Sequence, residues 1–344
     1  MLSPINNKTL WNKALSSFKK NKNYDFYHEY DYCNLYSDIN SKIEFFYFEN
    51  GKDKFFFPYL KRKINKSNFY DFETPYGYGG PLSNSHSKKF INLALNEFKK
   101  KSEKNNIVAG IIRFNPFFSF LEIIESPEVK ILYKTKIVIM KCEKSYEEIK
   151  NEFPKDVIVR LKKSENQKIY YETSNSKKRL KNFESIYLER MKNLEADQEY
   201  YFSNDFFEKF SFLNESNWKV FSVFKEDKFI GGALVLFTKN NCNIHLSSSL
   251  KEYFKYSPNI VIRNAIIKFC HSNNIKIINF GGGRTNKPED SLLNFKKKFS
   301  NETENYYLGG IIVNEQKYKE LIEKWDSHPK RNNKFKNYFL KYRY

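Results

Sequence analysis

Cysteine and histidine are both scarce, with four and five copies among 344 residues. Cys33, Cys142, Cys242 and Cys270 are scattered, without a CxxC pair or a histidine at zinc-like spacing, so neither a disulfide frame nor a metal site is supported. They read as small buried hydrophobes or bystanders. Long apolar runs are also missing, and nothing approaches the ~20 residues needed to span a bilayer. The opening MLSPINNKTLWNKALSSFKK has no signal-like hydrophobic core and no small-residue cleavage site. The expectation is therefore a cytoplasmic protein. No GxSxG elbow occurs, which removes one signature of Ser/His/Asp chemistry. The glycines of YGYGGP are not followed by Gly-Lys-Ser/Thr, so they are not a phosphate-binding P-loop.

What is present can build a large core. The chain is 40% hydrophobic, with 34 Phe and 25 Tyr, and its length suits about two domains of roughly 100 to 200 residues. The net charge of +20 suits an anionic partner such as tRNA, a nucleotide-linked sugar, a coenzyme A phosphate or a membrane surface. Lys, Asn, Ile, Phe and Tyr are equally the residues that AT-rich codons enrich, so the charge has two readings. The tail HPKRNNKFKNYFLKYRY, residues 328–344, divides the same way between touching anionic lipid or RNA and packing or fraying as a terminal helix.

Two halves of the chain echo each other. FFYFENGKDKFFFPYLKRK (45–63) and FSVFKEDKFIGGALVLFTK (221–239) each read as a hairpin with a polar turn, and Lys54 and Phe55 align with Lys228 and Phe229. Each is followed by a helix, an Asn-Asn turn and an apolar strand, at 87–116 and 257–283. In the second copy Ser257 is placed to cap the helix, Pro258 takes its first position, and Ile262, Ala265, Ile266 and Phe269 form its apolar face. Between the copies, the pattern predicts a helix near 156–164, a strand at 168–173, a core-packing helix over 177–195 and a short helix over 204–214 capped by Ser203.

The segment IINFGGGRTNKPEDSLLNFKKKFS (277–300) concentrates the chemistry. A short β-branched strand runs into Gly281, Gly282 and Gly283, where the backbone can approach a ligand closely. A helix then opens near Asp290 and carries Leu292, Phe295 and Phe299 on one stripe. Lys296 borders that stripe. It is either a solvated lysine or one whose stem lies along the packed face with its ammonium at the glycine turn. Asp290 divides between helix cap and general base. Arg284 can pair with a phosphate or carboxylate, or stand as a surface charge. His245, on the expected strand NIHLSS, faces either a cleft or the core.

GGGRT and DSLLNFKKKF, with ETPYGYGGPL (73–82) and IIRFNP (111–116), resemble the FemAB-like branch of the GNAT acyltransferase superfamily. That branch includes the FemX-type aminoacyltransferases of peptidoglycan synthesis and acyltransferases of envelope polysaccharide clusters. The resemblance implies an α/β (α+β) fold of two tandem GNAT-like domains, each a mixed twisted sheet flanked by helices. We assign 1–140 to the first, 141–327 to the second and 328–344 to the basic tail. It further implies an acyl- or aminoacyltransferase modifying an amino group of a cell-envelope precursor, whether a nucleotide- or lipid-linked sugar or a peptidoglycan precursor. No cofactor is expected to be tightly bound; the acyl donor, aminoacyl-tRNA or acyl-CoA, is a co-substrate.

By resemblance Lys296 is the catalytic residue, Phe295 contacts the donor, and Gly281, Gly282, Gly283 and Arg284 complete the donor site. Tyr76, Tyr78, Gly79 and Gly80, with His245, are the acceptor-binding candidates, since aromatic faces and exposed backbone suit a sugar or nucleoside. Acetyl-CoA enzymes of the superfamily carry a glycine loop before the corresponding helix, whereas SSSLKEYFKYSPN has none. This favours an aminoacyl-tRNA or an unusual acyl carrier as donor. Two other readings stay open: an acyl-CoA-dependent N- or O-acyltransferase of polysaccharide synthesis, and a non-catalytic basic nucleic-acid-binding protein. A cytoplasmic enzyme of this kind is free to rest against the inner face of the membrane.

Overall fold

The structure is a computed structural model that describes residues 8–197, 200–203, 205–285 and 287–344. The first strands are β1 (Ser41–Asn50), β2 (Asp53–Lys63), β3 (Tyr70–Glu73), β4 (Leu82–Ser83) and β5 (Ile107–Arg113). They are followed by β6 (Lys130–Lys141), β7 (Ile169–Ser174), β8 (Trp218–Lys225), β9 (Lys228–Phe237), β10 (Asn241–Ser249), β11 (Ile277–Gly282) and β12 (Thr303–Ile312). Contacts gather the chain into two units. One holds residues up to Thr135 together with Asn305–Tyr344, and the other is Lys136–Glu304. The division at 140 and the separate tail expected above thus meet a first unit to which the chain returns after Asn305.

Each unit repeats one plan. In the first, β1, β2 and β3 run antiparallel, the helix Lys88–Lys104 crosses over, and β5 lies parallel to β3 with β12 antiparallel beside it. In the second, β8, β9 and β10 run antiparallel, the helix Pro258–Ser272 crosses over, and β11 lies parallel to β10 with β6 antiparallel beside it. β7 extends this sheet at β8. The mixed α/β architecture expected from the sequence is the one observed.

The repeat differs from the expected alignment by one residue. Asn50 faces Asp53 across the first turn and Lys225 faces Lys228 across the second, so Asp53, not Lys54, corresponds to Lys228. Both turns have two central residues. Gly51 supplies a left-handed conformation in the first, while Glu226 and Asp227 both adopt it in the second, matching the twist of a tight hairpin.

The cores follow from the helix faces. Phe90, Ile91, Ala94, Leu95 and Phe98 recur at spacings of three and four and pack on Phe46, Phe57 and Phe72; the Phe57 and Phe98 rings are 4.8 Å apart. The second crossover helix is apolar on almost every side, with Ile260, Val261, Ile262, Ala265, Ile266 and Ile267 buried. Ser257 does not cap it. Its backbone is left-handed at φ 56°, and its hydroxyl instead lies 3.5 Å from Arg160 Nη1. The 177–195 expectation appears as a helix at Lys177–Asn193. The expected 204–214 helix is confined to Phe206–Phe210 with Asp205 at its cap position, and Asn204 lies outside the described residues. The chain then turns at Glu215–Asn217, where the Asn214 side chain accepts from the Ser216 N–H.

The basic tail is packed, though not as the expected terminal helix: it makes only short 3-10 turns at Asn333–Phe335 and Lys341–Arg343. Leu340 is buried under the first sheet, Tyr318 Oη donates to the Phe339 carbonyl, and Trp325 Nε1 donates to the Tyr344 carbonyl. Arg343 grips Asp71 through Nε and Nη2, at 2.5 and 2.6 Å. Among the described residues no helix is long and apolar enough to cross a membrane.

Candidate active site

The second unit departs from its own repeat where two parallel strands end. In the first unit β3 and β5 remain joined to their ends, through Glu73 opposite Ile111 and the Thr74 N–H on the Ile111 carbonyl. In the second unit only Asn241, Cys242 and Asn243 of β10 pair with Ile277, Ile278 and Asn279 of β11. Beyond them both strands continue, β10 to Ser249 and β11 to Gly282. A bulge interrupts each on its far side, at His245 against β9 and at Phe280 against β6. Bulges bend a strand and increase its twist, which is the local cause of the parting. The Asn279 amide donates to Asn243 Oδ1 at 3.0 Å at the point of divergence, and Asn279 Oδ1 accepts from the Gly281 N–H. Gly281 is left-handed at φ 78°, a conformation that favours glycine.

Lys296 comes into this opening from the helix Ser291–Lys297. It is the one buried residue of that helix, 8% exposed, and Nζ donates to the Gly282 carbonyl at 2.6 Å. The glycine turn therefore presents the Gly282 carbonyl to the lysine. Burial, reinforced by the nearby Arg263 charge and opposed by Asp290, pushes the Lys296 ammonium down to about 7. Phe295, beside it, packs edge-on against Phe299 and lines a groove of about 240 Å³ with Phe254, Ser257, Pro258, Asn259 and the cations Arg160 and Lys298. Lys298 and Arg160 both face Asp156.

Asp290 is a clamp. Its Oδ1 caps the helix at the Leu293 N–H, and its Oδ2 accepts from the N–H groups of Arg284 and Thr285 and from the Thr285 hydroxyl. Burial would raise its pKa, but these donors hold it at about 2, which suits a fixed acceptor and not a base. Gly283 is required here because a Cβ would stand 2.6 Å from Asp290 Oδ1. Gly283→Ala should break the clamp and lower thermal stability by roughly 1 to 3 kcal/mol, read by urea unfolding. Unchanged stability would show that the loop yields. The Arg284 side chain is exposed, and only its backbone takes part.

The acceptor candidates lie elsewhere. His245 is buried at the β10 bulge with its ring 6.5 Å from Phe210, and desolvation drops its pKa to about 3, so it belongs to the aromatic core under helix Phe206–Phe210. Tyr76, Tyr78, Gly79 and Gly80 are in the first unit. Gly79 and Gly80 are buried, not exposed: a Cβ would meet the Tyr27 carbonyl at 2.9 Å in one and the Arg113 carbonyl at 2.9 Å in the other. Their absent side chains allow close packing, which corrects the expectation of open backbone. Asn115 of RFNP donates to the Tyr78 carbonyl and to Asp25, and Tyr32 donates to the Tyr76 carbonyl, so two motifs of the family-like set form one hydrogen-bonded loop. The rings of Tyr76 and Tyr78 remain partly exposed.

Residues 140–321, more than half of the chain, match the FemAB family. The chain belongs to the FemAB family. Its structure superposes on that of FemX with a TM-score of 0.70 at 13% identity, covering 91% of this chain and 98% of that one. The C-terminal domain of a candidate lysylphosphatidylglycerol synthetase from Agrobacterium fabrum gives 0.54 at 11% identity, covering 90% and 93%. A Bacteroides thetaiotaomicron protein of unknown function gives 0.54 at 10%, covering 82% and 89%. No curated protein matches the sequence. As a FemAB-family chain it is a transferase of acyl groups with a GNAT-type fold. Among the described residues no cluster of His, Cys, Asp or Glu is arranged to hold a metal.

Arg263 was missed by the sequence reading. It sits in VIRNAII, and an arginine inside an apolar helical run with no acidic neighbour was a legible sign of a buried charge.

Proposed function

We propose that this FemAB-family protein transfers an aminoacyl or acyl group to an amino group of a cell-envelope precursor, with Lys296 steadying the oxyanion of the transition state. The observation that carries this is a buried ammonium tied to the Gly282 carbonyl where two strands part; the residue before it, Phe295, edges a groove. Attack of the amine forms a C–N bond and places negative charge on the carbonyl oxygen; collapse breaks the bond to the carrier, and the amine proton leaves with the carrier or solvent. A fixed cation in a poorly hydrated site favours that charge and needs no reorganisation when it forms. The aromatic and cationic lining of the groove suits a carrier that ends in a base and phosphate, as aminoacyl-tRNA and coenzyme A both do. The glycine-free junction before Pro258 favours the tRNA.

A donor screen tests the reading: charged tRNAs and acyl-CoAs are incubated with nucleotide- and lipid-linked envelope precursors and products are read by mass spectrometry. Transfer from none of them, with salt-dependent RNA binding that survives loss of Lys296, would replace the enzyme with a nucleic-acid-binding protein. Because the Lys296 ammonium titrates at about 7, kcat should fall as pH rises through that value, and the limb should vanish in Lys296→Ala. A rate that rises through the same pH would make the lysine a base.

A further inference from the structure

Arg263 projects from the helix Pro258–Ser272 and is 3% exposed. Nη2 donates to Ser247 Oγ at 3.0 Å, on the part of β10 that lies beyond its last pair with β11. Nε and Nη1 are buried, and among the described residues neither has a hydrogen-bond partner. No aspartate or glutamate among those residues neutralises the guanidinium; the titratable group facing it is Cys242. The second buried cation, Lys296, is close enough for the two charges to repel, and it is anchored on Gly282 of the other parting strand. One cation thus stands on each side of the opening. Ser247, Gly281, Gly282 and Gly283, which border the opening, are all partly exposed.

A buried guanidinium that lacks acceptors for two of its nitrogens weakens the fold, and selection keeps such a group where a ligand supplies what is missing. Nη2 has two hydrogens and gives one to Ser247, so the other, together with the free nitrogen on the same edge, Nε or Nη1, presents a planar fork to two oxygens of a carboxylate or phosphate. We propose that Arg263 is a substrate-binding residue whose free guanidinium nitrogens take an anionic group of the substrate, a carboxylate or a phosphate, between β10 and β11 beside Lys296. This deepens the transfer reading of the same site. It is tested by binding alone, so it can fail while transfer stands, and the reverse.

The probes are inorganic phosphate and N-acetylglycine, titrated into the full chain by calorimetry and by thermal shift at neutral pH. At least one should bind the native protein saturably at millimolar concentration. Arg263→Lys keeps the charge but not the fork and should weaken that binding about fivefold or more. Arg263→Met should abolish it while leaving the unliganded midpoint equal or higher, since a buried cation gives way to an apolar side chain of similar size. Binding of phosphate alone assigns a phosphate source, and binding of N-acetylglycine alone a carboxylate. If Arg263→Met binds both probes as tightly as the native protein, or the native protein binds neither, the assignment is overturned. Should the Met variant fail to fold, the ratio between native and Arg263→Lys affinity decides: an unchanged ratio overturns it.

Discussion

Lys296→Ala should lower kcat about a hundredfold, with KM little changed and the fold intact, because one oxyanion donor in a dry site is worth roughly 3 kcal/mol of barrier. The split follows from timing. The oxyanion exists only as the carbonyl is attacked, so the ammonium contributes little to ground-state binding. The same substitution should raise stability, most of all below about pH 7. There the folded protein must keep the lysine charged in a buried place, whereas the unfolded chain holds the proton at no cost up to the ordinary 10.5. The gain should shrink between 7 and 10.5 and vanish above. Steady-state kinetics and urea unfolding at several pH values check both halves. Full turnover in the variant would remove the lysine from the mechanism, and a loss of stability at neutral pH would make it a structural group.

Asp71→Ala should be the most damaging change in the first unit, costing about 3 to 5 kcal/mol by urea unfolding, the range for removing one member of a buried ion pair. The Asp71 side chain is 0% exposed and accepts from Arg62 Nε at 2.9 Å and from Arg343 Nη2 at 2.6 Å. Arg62 keeps Glu73 as a second partner, whereas Arg343 is left with the Arg62 and Lys63 carbonyls at 3.3 Å, which loosens the chain end that lies over Ile64, Val108 and Ala109. Arg343→Ala should cost less, because Asp71 would retain Arg62. Equal losses from the two variants would show that the Arg343 grip carries the whole effect, and no loss from Arg343→Ala would show that the tail is held by its apolar contacts.

Much of this fold was legible because its signals are periodic. The two hairpins and the crossover helices follow from spacing, and the glycines at the end of β11 marked where a strand stops; the expected stripe is met by Phe295 and Phe299, but Leu293 and not Leu292 joins them against the core. What spacing does not encode is which polar groups become trapped. Asp290 read equally as cap or base until its four donors were seen. Gly79 and Gly80 looked like open backbone because composition does not show Tyr27 and Phe114 pressing on them. His245 was ambiguous because a bulge shifts the alternation of β10 at that residue. The bulges themselves leave no residue signature. Consequently the parting of β10 and β11, on which the site depends, was not available from sequence.

The place of β12 has a consequence for how the molecule is made. Leu308, Gly309, Gly310, Ile311 and Ile312 pair with Arg113, Ile112, Ile111, Gly110 and Ala109, so a central strand of the first unit waits for a partner encoded after the whole of the second. The second unit, contiguous from Lys136 to Glu304, is complete as soon as it leaves the ribosome. Maturation therefore runs against reading order, and a premature stop just after Glu304 would injure the first unit and spare the second.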